Sequence, residues 1–128
     1  MKETMKKQGR ILVVEDNPPI LEQVAKILKD KGYTTYKAVD GMDAITKAKS
    51  LIPDLIILDV ILPKINGFQV CRLLKNTQQF KDIPVIILSG KKDQSDKDWG
   101  IKIGADCYMT KPVDSEKLLE IVNSYLQS

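Results

Sequence analysis

The residues of this sequence that could handle charge or phosphate stand where apolar runs end. Glu15 and Asp16 follow Ile11-Leu12-Val13-Val14, Asp59 follows Leu55-Ile56-Ile57-Leu58, Ser89 follows Val85-Ile86-Ile87-Leu88, and Thr110 and Lys111 follow Asp106-Cys107-Tyr108-Met109. A polar residue at the end of one run is ordinary, because strands meet solvent there. The set is more demanding: three carboxylates gathered at one rim repel each other, and the remedy is a hard divalent cation with oxygen ligands or a compensating lysine. Mg²⁺ suits so small a ligand set better than Ca²⁺, and no loop has the pattern of a calcium-binding loop. With the ammonium of Lys111 and the hydroxyl of Ser89, the group describes a site for a tetrahedral oxyanion held beside Mg²⁺. The chain has no histidine. Imidazole acid–base catalysis, histidine metal ligands and histidine phosphorylation within it are therefore excluded.

Gathering these ends at one place requires a particular architecture. The three runs after which Glu15, Asp59 and Ser89 stand are short, β-branched and apolar throughout, as strands covered on both faces should be. Two more polar runs, Tyr33 to Val39 and Asp106 to Met109, are predicted as strands nearer the sheet edges. Helical periodicity fills the intervals: Ile20, Val24, Ile27 and Leu28; Ala44, Ile45 and Ala48; Val70, Leu73 and Leu74; a sparse stretch from Ser95 to Ile103; and Leu118, Leu119 and Val122. Pro19 is expected to open the first helix, with Pro18 in the preceding loop. Strand followed by helix, five times over, predicts a doubly wound (βα)5 fold of class α/β, with a five-stranded parallel sheet and helices on both faces. Ligands of such folds bind beyond the carboxyl ends of the strands.

The 128 residues, of which 43% are apolar, suffice for one core. Residues 1–9 read as a basic, flexible leader and 10–128 as the folded domain. Lys2, Lys6, Lys7 and Arg10 against Glu3 account for the whole formal charge of +3, which leaves the body neutral. No aromatic interleaving or recognition-helix pattern accompanies the basic residues, so direct nucleic-acid binding is not expected. No apolar run is long enough to span a membrane and no signal-like segment is present, so a cytoplasmic protein without membrane insertion is expected. Cys71 and Cys107 lack metal-type spacing and are expected to be small buried side chains.

At the level of motifs the chain resembles the receiver domains of bacterial two-component response regulators, over about Arg10 to Leu126. The resemblance is carried by Ile11-Leu12-Val13-Val14-Glu15-Asp16-Asn17, by Pro53-Asp54-Leu55-Ile56-Ile57-Leu58-Asp59, by Leu62-Pro63 with Asn66-Gly67, by Pro84-Val85-Ile86-Ile87-Leu88-Ser89, and by Gly104-Ala105-Asp106-Cys107-Tyr108-Met109-Thr110-Lys111-Pro112. Asp96-Lys97-Asp98-Trp99-Gly100 looks like the same region of stand-alone receivers of pilus and gliding-motility systems. The first acid is Glu where Asp is commoner, and the hydroxyl is Ser89 where Thr is also common; neither change removes a functional group.

The resemblance implies a flavodoxin-like receiver fold and a role for each residue at the rim. Asp59 would accept a phosphoryl group from a histidine kinase or histidine phosphotransfer protein, and Asp16, Asp59 and the backbone carbonyl of Ile61 would bind Mg²⁺, with Glu15 acting through a metal-bound water. Lys111 would pair with Asp59 at rest and with a phosphoryl oxygen afterwards, its direction set by Pro112, for which a cis bond is one means. Ser89 and Tyr108 would be the switch pair that reshapes the face offered to a downstream protein target. Such a domain catalyses its own phosphoryl transfer and slow dephosphorylation but is primarily regulatory, and is a monomer or a weak phosphorylation-dependent dimer. The sequence leaves no room within it for a DNA-binding effector domain, and fits either a stand-alone receiver or a piece of a longer regulator or hybrid kinase.

Other classes fare worse on the residues. A flavin module needs a Gly/Ser/Thr-rich phosphate loop where Glu15-Asp16-Asn17-Pro18 stands, and a haloacid-dehalogenase-like phosphatase needs a second Asp where Ile61 stands. The alternative that survives is a receiver-fold interaction module that does not use phosphate.

Overall fold

The computed structural model describes residues 9–126. Ten elements alternate: β1 (Arg10–Val14), α1 (Pro18–Lys29), β2 (Thr34–Ala38), α2 (Gly41–Leu51), β3 (Leu55–Leu58), α3 (Gly67–Lys75), β4 (Val85–Ser89), α4 (Gln94–Lys102), β5 (Cys107–Thr110) and α5 (Ser115–Leu126). All strand pairs are parallel, in the order β2-β1-β3-β4-β5. The apolar strands β1, β3 and β4 are central and the more polar β2 and β5 are the edges, as their composition predicts. This is the doubly wound (βα)5 fold.

Side-chain alternation along the strands divides the core. Leu12, Val14, Ile56, Leu58, Val85 and Ile87 pack on one face with Ala44 and Ala48 of α2 and with Val70, Cys71 and Leu74 of α3. Ile11, Val13, Leu55, Ile57, Ile86 and Leu88 pack on the other with Leu21, Val24 and Leu28 of α1 and with Leu118 and Val122 of α5. A strand with both faces covered has no solvent side to mark with a polar residue. That is why these runs are apolar throughout.

Several boundaries differ from the sequence reading. Both Pro18 and Pro19 lie inside the first turn of α1, because Asn17 caps it and neither of the first two helical N–H groups would have an intrahelical partner. Ser89 and Thr110 close their strands instead of following them, paired with one another in the β4–β5 register. Asp106 precedes β5: its carboxylate accepts the Val85 N–H at 2.8 Å and an ammonium hydrogen of Lys75 at 2.8 Å. β2 is a residue shorter at each end than predicted, and α4 runs one residue earlier. Cys71 is fully buried, and burial pushes its thiol up to about 11. Cys107 is only half-buried. Of the predicted basic leader, residues 1–8 lie outside the described residues; the Gly9 carbonyl accepts the Thr34 N–H at 3.0 Å.

Candidate functional site

The chain returns to opposite sides of β1 for β2 and β3, so the loops after β1 and β3 part and leave a crevice at the carboxyl edge. Glu15, Asp16 and Asp59 stand there, and each offers a carboxylate oxygen within 4.8 Å of the others. The β1–β3 register sets them side by side, Val14 opposite Leu58, and the Asp59 N–H donates to the Val14 carbonyl at 3.0 Å. Asp54, by contrast, is at the amino end, where it exchanges hydrogen bonds with Arg10 at 2.9 and 2.8 Å.

Glu15 and Asp59 are buried while Asp16 is exposed. Lys111 serves both buried acids: its Nζ lies 2.6 Å from Glu15 Oε1 and 3.3 Å from Asp59 Oδ2. The resting partner of the lysine is thus Glu15 at least as much as Asp59. Burial raises the Glu15 carboxyl above its ordinary 4.5; the Lys111 hydrogen bond opposes this, and the Asp59 charge reinforces it. Burial alone would lower Lys111, but the hydrogen bond with Glu15 and the charge of Asp59 carry it above its usual range. Burial thus dominates at Glu15, while at Lys111 the two carboxylates outweigh it. The charge excess suits a divalent cation, and the donor set, oxygen only with one member open to solvent, suits Mg²⁺.

Local hydrogen bonds fix the acids. Glu15 Oε2 accepts the Asn17 N–H at 3.1 Å, and Asp59 Oδ1 accepts the Ile61 N–H at 3.3 Å. The start of α3 presses on the exit of β3: the Gly67 N–H donates to the Val60 carbonyl at 2.8 Å, and a Cβ on Gly67 would fall 2.0 Å from the Asp59 carbonyl oxygen. Only glycine permits that approach. The Asn66-Gly67 pair is visible in the sequence, but its use as a spacer behind Asp59 is not.

Ser89, fully buried, accepts the Lys91 N–H at 3.2 Å, while the Tyr108 hydroxyl donates to the Lys91 carbonyl at 2.8 Å. Burial pushes the Tyr108 phenol above its usual range, against an opposing effect of the Ser89 hydroxyl. A Cβ on Gly100 of α4 would lie 3.0 Å from the Tyr108 ring and 3.1 Å from Ile87, so this glycine lets the ring lie close against α4. The Lys111 N–H donates to the Ser89 carbonyl at 2.8 Å, which ties the lysine to β4, and the Lys111–Pro112 bond is cis. The structure therefore brings Glu15, Asp16, Asp59 and Lys111 together, and links Ser89 and Tyr108 through the loop beside them. Ile61 is exposed at the mouth.

The family model described as "Response regulator receiver domain" matches residues 11–123. The chain belongs to this family. It is 39% identical to Protein PilH of Pseudomonas aeruginosa, over 92% of this chain and 98% of that protein. It is 42% identical to the DNA-binding dual master transcriptional regulator RpaA of Synechocystis, over 92% of this chain but 49% of that protein. The signal receiver domain of a signal transduction histidine kinase from Syntrophus aciditrophicus superposes with a TM-score of 0.86 at 37% identity, over 93% of this chain and 90% of that one. Family membership and the acidic cluster together support a phosphorylation-based switch of the phosphorelay type. No helix among the described residues is long and apolar enough to cross a membrane.

Proposed function

We propose that this receiver domain takes a phosphoryl group from a phosphohistidine of a kinase or phosphotransfer protein onto Asp59, in a Mg²⁺-dependent reaction, and thereby changes the face it offers to a protein target. The observation that carries this reading is the pairing of buried Asp59 with Lys111 inside the three-carboxylate cluster.

An Asp59 carboxylate oxygen attacks phosphorus, the bond from phosphorus to the donor imidazole nitrogen breaks, and the electron pair leaves with the imidazole. The Lys111 ammonium, 3.3 Å from Asp59 Oδ2, stands beside the nucleophile as a counter-charge. Asp16 and Asp59, with the Ile61 carbonyl and with Glu15 through a water, would hold Mg²⁺, which when bound supplies positive charge to the phosphoryl oxygens. Lys111, held by Glu15, needs only a small adjustment to follow the new anion. The acyl phosphate adds about two negative charges and three acceptor oxygens. Ser89 turns its hydroxyl from the Lys91 N–H to one of these oxygens, which releases the β4–α4 loop and opens a path for Tyr108 to move inward.

Mass spectrometry after treatment with acetyl phosphate and Mg²⁺ tests the reading. One hydroxylamine-labile phosphoryl group is expected on the wild type and none on Asp59→Asn. Stoichiometric acyl phosphate on Asp59→Asn would move the acceptor elsewhere on the rim. No phosphoryl group on the wild type, with no response to beryllofluoride, would establish the phosphate-independent module.

A further inference from the structure

Away from the acidic rim, α3 and α4 leave an apolar, basic groove between them. Gln69 and Arg72 from α3 and Trp99, Lys102 and Ile103 from the end of α4 line it around hollows of about 240 and 260 Å³, and a third hollow of about 400 Å³, on α3 alone and lined by Leu73, adjoins them at Arg72. Two of the largest exposed apolar side chains of the described residues belong to these two helices: Leu73 is 49% and Trp99 43% exposed. Neither Arg72 nor Lys102 has an ion-pair partner among the described residues, and no carboxylate lines any of the three hollows. Basic residues are suited to the last turn of a helix. That preference explains their presence there but not the uncovered indole between them.

We infer that the α3–α4 groove docks an acidic amphipathic helix of a protein partner, its apolar stripe on Trp99, Leu73 and Ile103 and its carboxylates on Arg72 and Lys102. Two ridges of side chains repeating at three and four residues leave a trough of the shape that accepts a third helix. Charge selects the occupant: a basic or neutral helix would leave Arg72 and Lys102 facing a partner without compensation, whereas carboxylates about one turn apart satisfy both. Two isolated cations flanking an apolar floor are too few for a phosphodiester chain, which calls for a track of positive charge. Trp99 supplies the kind of large, rigid anchor on which binding energy concentrates. None of these lining residues belongs to the cluster around Asp59, so the surface is open to test on the unphosphorylated protein.

Trp99 is the chain's only tryptophan, so its emission reports occupancy directly. A phage-displayed library of helix-biased peptides of about four turns, selected on the unphosphorylated, Mg²⁺-free protein, should enrich acidic amphipathic sequences that shift this emission. Arg72→Glu and Trp99→Ala should each weaken the selected, dye-labelled peptides by about tenfold or more in fluorescence anisotropy, and a peptide with its carboxylates replaced by lysines should recover on Arg72→Glu. Both changes are at exposed positions; circular dichroism and uptake of phosphate from acetyl phosphate should match the wild type. Selected peptides that are basic or neutral, or that bind both variants as they bind the wild type, overturn the inference. So does self-association of the wild type abolished by Trp99→Ala in sedimentation, which would make a second copy the occupant, or an oligouridine displacing the amide resonances of these residues more tightly than any peptide. Because every binding measurement is made without phosphate or Mg²⁺, none of these binding outcomes bears on Asp59.

Discussion

Ser89 and Tyr108 hold the backbone of one residue through its two successive peptide groups, Ser89 accepting the Lys91 N–H at 3.2 Å and Tyr108 donating to the Lys91 carbonyl at 2.8 Å. Alternation along the sheet sets both on the α3 face, since Val85, Ile87 and Ser89 share one side of β4, and Tyr108 lies opposite Ile87. The β4–α4 loop is thus clamped by the two residues proposed to move. A serine hydroxyl drawn toward a phosphoryl oxygen releases one side of the clamp, and a tyrosine drawn inward releases the other.

Their coupling is measurable. Each lost hydrogen bond should cost about 0.5–1.5 kcal/mol, with Tyr108→Phe at the lower end because its bond is exposed to water. A double-mutant cycle of Ser89→Ala and Tyr108→Phe by urea unfolding should give a coupling of at least about 0.5 kcal/mol, since both bonds hold one loop. Strict additivity would show that the loop is held elsewhere. Ser89→Ala should still accept phosphate, yet the amide shifts it produces in α4 and β5 should shrink; wild-type-like shifts there would remove Ser89 from the transmission route.

Gly67 should behave as a site residue although it carries no chemistry. Any side chain there drives Cβ into the Asp59 carbonyl and the Val60 backbone, and neither yields as the tip of a flexible side chain would. Overpacking of this kind costs about 1–3 kcal/mol or more. Gly67→Ala is expected to lower both the unfolding midpoint and the rate of phosphorylation from acetyl phosphate, because relief of the clash displaces Asp59. Wild-type values for both would mean that α3 retreats without moving the acid.

Asp16 is the solvent-exposed acid of the cluster, and its carboxylate forms no ion pair among the described residues. Asp16→Asn should therefore leave stability within about 0.5 kcal/mol. Mg²⁺ affinity should fall about tenfold or more, since even groups that merely support metal ligands are worth that much. Isothermal titration showing unchanged affinity would take Asp16 out of the ligand set.

The fold was legible because the two-face burial of β1, β3 and β4 leaves a direct imprint: continuous β-branched runs, each broken by an acid or a hydroxyl. Their edge neighbours were less sharply bounded, since β2 and β5 are only partly buried and polar residues flank them, as Asp106 does just before β5, where it bonds Val85 of β4 and Lys75 of α3. α4 was the weakest element in the sequence for a physical reason. Its sole buried residue is Gly100, so no apolar stripe records its packing. The rim acids and the lysine were legible as types at strand ends, but the division of Lys111 between Glu15 and Asp59 depends on ångström-level reach that a sequence does not encode. The clamp on Lys91 was equally hidden, because it is made with backbone atoms that any residue supplies.

Keeping Glu15 ionised in its buried position costs the fold stability. Burial first, and then the Asp59 charge, raises its carboxyl above 4.5 in spite of the hydrogen bonds from Lys111 and the Asn17 N–H. The folded chain therefore binds this proton more tightly than the unfolded chain, so the stability contributed by Glu15 is fully present below about pH 4.5 and is lost as the pH rises through the raised folded value. At neutral pH without metal, the fold carries the ion at a penalty. Glu15→Gln can keep an acceptor for Lys111 while removing that ion, so it should flatten the part of the stability profile that lies above about pH 4.5 and leave the Mg²⁺-free protein at pH 7 as stable as the wild type or more so. Mg²⁺ reverses the comparison. At about a hundred times its Kd it should stabilise the wild type by about 2.7 kcal/mol, and at the same concentration it should stabilise Glu15→Gln less, because one anion has left the cluster. Urea titrations of both proteins across this range, with and without Mg²⁺, decide the matter: parallel Mg²⁺-free profiles would show that the buried glutamate bears no such penalty, and that Lys111 compensates it completely.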